Sequence, residues 1–387
     1  MRELLERGRH RYTLVADRVS AEPSIKAWDV LPGTDWVDAP IWRLGRKQRA
    51  YIQPGLIAAG FSRRYDTIVI HSGVWWPTTW LSAIAGRLTG KRVLSWGHGW
   101  TRREGGLRGW LRRVYYRLYH EHLTYGHYGK LLFMETGWAP EKVHVIYNSL
   151  DYPVQKAQRL GVKPDELVEM RRKVMGGLER PVAICTTRLV PYRKLEQLIE
   201  GAALLKQQGR SVDVLLVGEG PEKGRLEALA KEKGVTCIFY GACYDEAVLC
   251  RLIMMSNVMV VPGAIGLAVM HAHAYGTPVV THDEIEAHGP EFEAIVPGVN
   301  GGLFRRDDIE GLARAMGEWT GTAWPDEAVR ERCHSIVERF WNAEFQRRAI
   351  ERALDGAPAD DLWWMKESAP GYSRTASEGI PPDGERR

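Results

Sequence analysis

Between Arg11 and Leu303, short runs rich in Val, Ile and Tyr alternate with amphipathic stretches of helical period, the pattern of parallel sheets covered by helices on both faces. In the first half the strand-like runs are YTLVA (12–16), DTIVIHS (66–72), RVLSW (92–96) and VHVI (143–146). In the second half they are VAICTT (182–187), VDVLLV (212–217), TCIFY (236–240), NVMVVP (257–262) and PVVT (278–281). Between them KLEQLIEGAALLKQ (194–207) and EKGRLEALAKEKG (222–234) read as helices, the second closing on Gly234, a residue suited to a left-handed cap.

Each half therefore resembles a Rossmann-type unit. A chain of 387 residues exceeds what one hydrophobic core sustains, so two domains are expected. The boundary is placed after YNSLDYP (147–153), giving an N-terminal domain over 1–155 and a C-terminal domain over 156–335. A charged helix follows from Pro164, a favourable first helical residue, to Val174, ahead of Gly176 and Gly177. Beyond Pro325 two helical patterns run to Leu354, and residues 336–366 are expected to pack back toward the N-terminal domain. The stretch 367–387, rich in Pro, Gly, Ser and charge, is expected to be disordered.

No apolar run approaches a membrane span and the first ten residues are charged throughout, so neither a signal peptide nor a transmembrane helix is expected. The expected location is the cytoplasm, peripheral at the inner membrane face. The cysteines (Cys185, Cys237, Cys243, Cys250, Cys333) lack a CxxC pair or zinc-type spacing and read as reduced, mostly packing thiols. A net charge of +5 names no partner, but its distribution is uneven. Residues 101–120 carry Arg102, Arg103, Arg108, Arg112, Arg113 and Arg117 among Trp110, Tyr115, Tyr116 and Tyr119, with Lys130 beyond. Two readings stand: an interfacial helix resting on anionic lipid, or a solvated helix whose aromatics pack inward. No nucleic-acid-binding motif accompanies the charge, and nucleic acid is not expected as a partner.

Two stretches carry chemistry. CTTRLVPYRKLEQLIEGAALL (185–205) is a strand ending in a basic turn and entering a helix, where open α/β sheets bind ligands. Arg188, Lys194 and the adjacent Arg193 would set cations against a pyrophosphate, each charge-assisted hydrogen bond contributing about 1.5–3 kcal/mol. In VVPGAIGLAVMHAHAYGTPVVTHDEIEAHGPEFEAIVPGVNGGLF (260–304) a strand ends at Pro262 and a helix opens near Gly266, so backbone N–H groups of its first turn point outward toward an anion.

Taken in order, Arg188 and Lys194, the turn Gly218-Glu219-Gly220-Pro221, the helix start Gly266-Leu267, the run Gly276-Thr277-Pro278-Val279-Val280 and the loop from Glu291 to Gly301 resemble the retaining family-4 glycosyltransferases (glycosyl transferases group 1). EKVHVIYNSLD (141–151) is similar to that family's interdomain strand and Asn-centred hinge. The resemblance covers roughly 66–350 and implies the GT-B fold: α/β, two Rossmann-like domains facing a central cleft. By it, Arg188, Arg193 and Lys194 hold the diphosphate of a nucleoside-diphosphate sugar, Gly266, Leu267 and Glu291 border the phosphates or sugar, and Gly218 and Gly220 let the backbone pass close to the nucleotide. Gly241 opens a loop whose Cys243 and Tyr244 are candidates to border the base.

Many members of the family carry two glutamates eight positions apart around the Gly-Leu helix start, the second bonding the ribose; here the positions are Gly263 and His271. His271 is the candidate ribose ligand, and His273 two residues on faces elsewhere on a helix. In LSWGHGW (94–100) the turn histidine His98 is the candidate to face the reacting sugar, ahead of His71. Ten of fifteen tryptophans precede residue 140, and Trp75, Trp76 and Trp100, which follow strand ends, are acceptor candidates. RELLERGRHRYTLVAD (2–17) reads as the helix and second strand of a GT-B domain, so the chain is expected to be N-terminally short.

No Asp-x-Asp metal motif is present, GRLTGKR (86–92) is too short for a P-loop, and no Gly-x-Ser-x-Gly elbow occurs. The expectation is a metal-independent, cofactor-free transferase that takes its sugar from a nucleotide-sugar co-substrate to a saccharide or lipid-linked acceptor in cell-surface glycoconjugate synthesis. A donor-binding pseudoenzyme and a GT-B epimerase are the rival readings.

Overall fold

The protein is described from a computed structural model over residues 2–18, 33–44, 50–178, 180–321 and 324–360. Its contacts separate two units, divided between Tyr147 and Asn148 and again between Asn342 and Ala343.

The first unit opens with helix α1 (Arg2–Arg7) and strand β1 (Thr13–Ala16), which pairs in parallel with β2 (Asp35–Asp38). β3 (Trp42–Leu44) and β4 (Ala50–Ile52) form an antiparallel pair. After α2 (Pro54–Phe61) comes a four-stranded parallel sheet in the order β5 (Thr67–His71), β6 (Arg92–Gly97), β7 (Glu121–Thr124), β8 (Val143–Val145). Helices α3 (Pro77–Leu88), α4 (Gly106–Tyr116) and α5 (His127–Glu135) make the crossovers. β2, β3, β4 and β7 add to the strands read from sequence. β7 hides because its first residues are Glu121 and His122, both buried and both satisfied by neighbours: Arg92, Lys142 and His144 lie 2.9–3.1 Å from the Glu121 carboxylate, and Ser95 lies 2.6 Å from His122.

α4 divides along its length. Tyr115 and Tyr116, with Tyr119 just beyond, are fully buried against Trp80, Phe133 and His122. Leu107 and Trp110 stay exposed, at 78% and 55%, beside exposed Arg108, Arg113 and Arg117. The inward-packing reading holds for the tyrosines, while Leu107, Trp110 and the arginines beside them face outward. Arg112 and Arg103 are committed to Glu104 and Glu135, and Lys130 is buried on α5.

The second unit opens with α6 (Tyr152–Gly161) and α7 (Pro164–Met175), the latter closed by Gly176 at φ 78°. Its six-stranded parallel sheet has the order β11-β10-β9-β12-β13-β14. The strands are β9 (Val182–Thr186), β10 (Asp213–Val217), β11 (Cys237–Gly241), β12 (Val258–Val261), β13 (Val279–His282) and β14 (Gly301–Phe304), with α8 (Leu195–Gln207), α9 (Lys223–Lys233), α10 (Glu246–Met254), α11 (Ala268–Ala274), α12 (Ile309–Thr320) and α13 (Glu327–Arg339) around them. Helix starts are set by side-chain caps: Asp245 accepts from the N–H groups of Ala247 and Val248, Asp308 from Gly311 and Asp326 from Val329. Each such cap is worth about 1 kcal/mol. The central strands are buried, with Thr186 at the end of β9 half-buried, as parallel strands covered on both faces must be.

The unit boundary therefore falls earlier than residue 155, because α6 packs on α10 and α11. α13 stays on α11 in the second unit, while α14 (Ala343–Leu354) belongs to the first and lies on β7, β8 and α1. Its Ile350 and Ala353 share a core with Leu4, Leu94, Leu123 and Ile146. The expected disordered stretch 367–387 and residues 361–366 lie outside the described residues. Among the described residues no helix is long and apolar enough to cross a membrane.

Candidate functional site

In the second unit the strand order reverses between β9 and β12, and an open parallel sheet binds ligands beyond the carboxyl ends of its strands at such a point. Four segments converge there. The loop after β9 lies against the turn after β12 so closely that a Cβ on Gly263 would stand 2.5 Å from the Tyr192 carbonyl oxygen. The Gly289–Glu291 segment is tied to the same turn, Gly289 N–H donating to the Ile265 carbonyl at 2.7 Å. The turn after β10 closes the fourth side, with Leu189 N–H donating to Glu219 O at 3.0 Å and Gly218 N–H to Gly241 O at 2.8 Å.

These contacts alter several expected roles. Gly218, at φ 153°, and Gly220 are glycines because a Cβ would stand 1.8 Å from Thr187 O and 2.2 Å from Leu189 O; what they approach is the β9 loop. Arg193 is not turned to open space. Its guanidinium donates to the Ala264 carbonyl and covers the Tyr192 ring at 5.0 Å, so it braces the turn carrying Gly263. Arg188 is exposed and makes no ion pair among the described residues. Lys194, in the left-handed region at φ 52°, pairs with Asp307, and this bond with that from Gln197 holds the Asp307 carboxyl below its ordinary range.

The helix after β12 begins at Ala268 rather than Gly266, with Val269 N–H bonded to Gly266 O and Met270 N–H to Leu267 O. The N–H groups of residues 266–268 lie outside the helix's own ladder. Glu291 is buried, accepts from Asn148 Nδ2 at 2.8 Å and lies under Gly266, propping the turn from below.

His271, in the second turn of α11, meets a carboxylate after all. Glu246 Oε1 lies 3.2 Å from His271 Nδ1 and 3.2 Å from Gln155 Nε2, and accepts from Tyr275 OH at 2.5 Å. The His271 bond, reinforced by Tyr275 and opposed by burial, holds the Glu246 carboxyl down at about 2. Sequence reasoning missed Glu246, because an acidic residue in the first turn of a helix reads as ordinary capping and no spacing links it to position 271. His273 is fully buried on Asn300 O, and burial pushes it down to about 4, the profile of a structural imidazole. In the base-loop candidate, Tyr244 is 95% exposed and Cys243 Sγ donates to Asp245 O.

In the first unit His98 is exposed at the carboxyl end of β6, in a turn held by Gly97 and Gly99 at φ 149° and 63°, its ring edge-on to Tyr125 at 5.2 Å. His71 ends the neighbouring strand, stacks near Trp76 at 5.7 Å, and is pushed below the ordinary imidazole value by desolvation and by His98. The two histidines share one end of the sheet. Trp75 is exposed. Trp100 is not an acceptor surface: it is 3% exposed, covered by Arg112 at 5.3 Å and packed on Tyr116. Among the described residues no group of three or more His, Cys, Asp or Glu is placed to hold a metal ion.

Residues 169–332 match the family described as Glycosyl transferases group 1. The GDP-mannose-dependent alpha-(1-6)-phosphatidylinositol monomannoside mannosyltransferase of Mycolicibacterium smegmatis is 26% identical over 178 residues, 43% of this chain and 45% of that protein. The putative glycosyltransferase EpsD of Bacillus subtilis is 26% identical over 266 residues, 65% of this chain and 66% of its own. The chain thus spans between about half and two thirds of the length of these curated relatives. Among solved structures, HepE of Anabaena in complex with UDP has a TM-score of 0.63 at 19% identity, over 79% of this chain and 82% of that one. The lipopolysaccharide outer core galactosyltransferase WaaB, in its apo form, has a TM-score of 0.60 at 15% identity, over 84% and 85%. These likenesses show the fold, GT-B with two Rossmann-like units.

Proposed function

Residues 169–332 being a glycosyl transferases group 1 domain, we propose that this chain is a glycosyltransferase taking its sugar from a nucleoside diphosphate to a saccharide or lipid-linked acceptor. The observation that carries the reading is the meeting of the β9 loop, the β12 turn and the Gly289–Glu291 segment at the point where the strand order reverses. A diphosphate seated there takes charge-assisted hydrogen bonds from Arg188 and Lys194 and backbone N–H groups from residues 266–268. These groups stabilise the leaving diphosphate as its charge develops, an electrostatic task that needs fixed donors more than proton transfer. In the same reading the reaction retains anomeric configuration, needs no metal, and uses His98 of the first unit to orient the sugar or acceptor. The exposed Leu107, Trp110 and flanking arginines of α4 rest on an anionic membrane surface.

The test is calorimetric titration with UDP and GDP, followed by assay of diphosphate release from the matching nucleotide sugars. At least one nucleotide should bind, and Arg188→Ala and Lys194→Ala should each weaken it about tenfold or more, the equivalent of one charge-assisted bond. Unchanged affinity in both variants rejects the site. Tight binding without release of diphosphate, with or without a chelator and across acceptors, marks a pseudoenzyme.

A further inference from the structure

The three cations of the β9 loop stand in different states. Arg193 is committed to the Ala264 carbonyl, Arg188 is exposed without an ion pair among the described residues, and Lys194 is held by the carboxylate of Asp307. Asp307 lies beyond the carboxyl end of β14, in the turn that leads to α12. Gln197 Nε2, from the first turn of α8, donates to the same oxygen, Asp307 Oδ1, at 2.7 Å. The pair is more than a meeting of surface charges. Among the described residues three non-glycine residues lie in the left-handed region, Tyr147, Lys194 and Asp307, and two of the three are these partners, at φ 52° and 64°. A side chain disfavours that region, and a backbone held there by its surroundings marks a position where side-chain placement matters. The carboxylate also has a second cation within reach. Asp307 Oδ2 stands 4.0 Å from Arg306 Nε, and Arg306 is anchored in turn by Glu284 and by its own N–H on Asp283 Oδ1 at 3.2 Å.

We propose that Asp307 is an anionic latch on the diphosphate site: it occupies the ammonium of Lys194, and a diphosphate binds by displacing it. The inference rests on the nucleotide-sugar reading and adds a regulatory contact to that same site. Carboxylate and diphosphate compete because each is an anion seeking the same donor, and they repel one another when both stand beside it. Rotation of the Asp307 side chain toward Arg306 exchanges one cation for another, so opening the latch leaves neither the carboxylate nor Lys194 without a partner once the diphosphate is seated.

The experiment titrates the full chain calorimetrically with inorganic pyrophosphate, UDP and GDP at one fixed ionic strength. Asp307→Asn and Asp307→Gly, two residues that accept a left-handed backbone, should each tighten pyrophosphate and the preferred nucleotide about fivefold, the scale of one exposed ion pair. In a Lys194→Ala background the same two substitutions should change affinity by less than about twofold, because the group that the carboxylate holds is gone. Unchanged binding in both Asp307 variants overturns the proposal and makes the pair a structural tie. Weakened binding in both overturns it as well, making Asp307 the group that positions Lys194 for the ligand. An equal gain with and without Lys194 does the same, since repulsion alone would then account for it. Each of these three results leaves the nucleotide reading standing. Failure of pyrophosphate, UDP and GDP to bind the wild type and both Asp307 variants overturns the latch and the nucleotide reading together.

Discussion

A methyl group on Gly263 would stand 2.5 Å from the Tyr192 carbonyl oxygen and 2.8 Å from Cα of Arg193, backbone atoms that cannot swing aside as the end of a side chain can. The same segment leads into Lys194, whose positive φ fixes the entry to α8. Gly263→Ala should therefore displace the β9 loop and lower diphosphate affinity about tenfold, with a stability loss of the 1–3 kcal/mol that overpacking typically costs, about what a modest fall in melting temperature would report. Calorimetry with pyrophosphate decides it, since unchanged affinity would mean that the loop is not part of the site. Residue by residue, the cations of the β9 loop were legible because strand, basic turn and helix are contiguous in sequence. Arg193 was read as a ligand because charge alone does not reveal that a nearby carbonyl, that of Ala264, already takes its guanidinium. Glu246 was illegible for the opposite reason: its partners come from two other helices, and only the folded sheet sets them within hydrogen-bonding distance.

Among elements, the second sheet was readable because parallel strands buried on both faces appear as uninterrupted apolar runs such as VAIC and VLLV. β7 breaks that rule with EHLT, tolerable only because Arg92, Lys142, His144 and Ser95 come from other strands or loops to satisfy it. α4 shows a mixed case, since alternation of basic and aromatic residues cannot say which aromatics turn inward. Burial of Tyr115 and Tyr116 leaves Leu107 and Trp110 as the apolar contribution to an interfacial surface, with Arg108, Arg113 and Arg117 beside them. Near an anionic surface each basic residue contributes about 1 kcal/mol, roughly a fivefold effect on partitioning. The chain should float with phosphatidylglycerol vesicles and not with phosphatidylcholine vesicles, and Arg113→Glu or Trp110→Ser should weaken that association without changing nucleotide affinity. Equal recovery with both vesicle types, or indifference to salt, would remove the membrane from the reading.

For the molecule as a whole, the buried histidines set how it responds to acid. Burial pushes His122 and His334 down to about 3 and His273 and His288 down to about 4, from an ordinary 6.5. A histidine whose folded value is depressed binds a proton in the unfolded chain before it does so in the folded one. Its contribution is therefore constant above about 6.5 and declines as pH falls toward its folded value. His122 and His273, both fully buried, each remove up to about 1.4 kcal/mol per pH unit within that window. The depressed carboxyls act later in the same direction. Glu246 and Glu338, held at about 2 against an ordinary 4.5, lose their stabilising ionised form only as pH drops from 4.5 toward 2. Melting temperature should thus fall between pH 7 and pH 5, before Glu246 and Glu338 titrate, and His288→Gln, whose amide can still accept from Ile265 N–H, should flatten that slope. A melting temperature constant over that interval would mean that these imidazoles take up protons in place, and that the packing around them opens far more readily than the close contacts of His288 with Phe292 and of His122 with Phe133 allow.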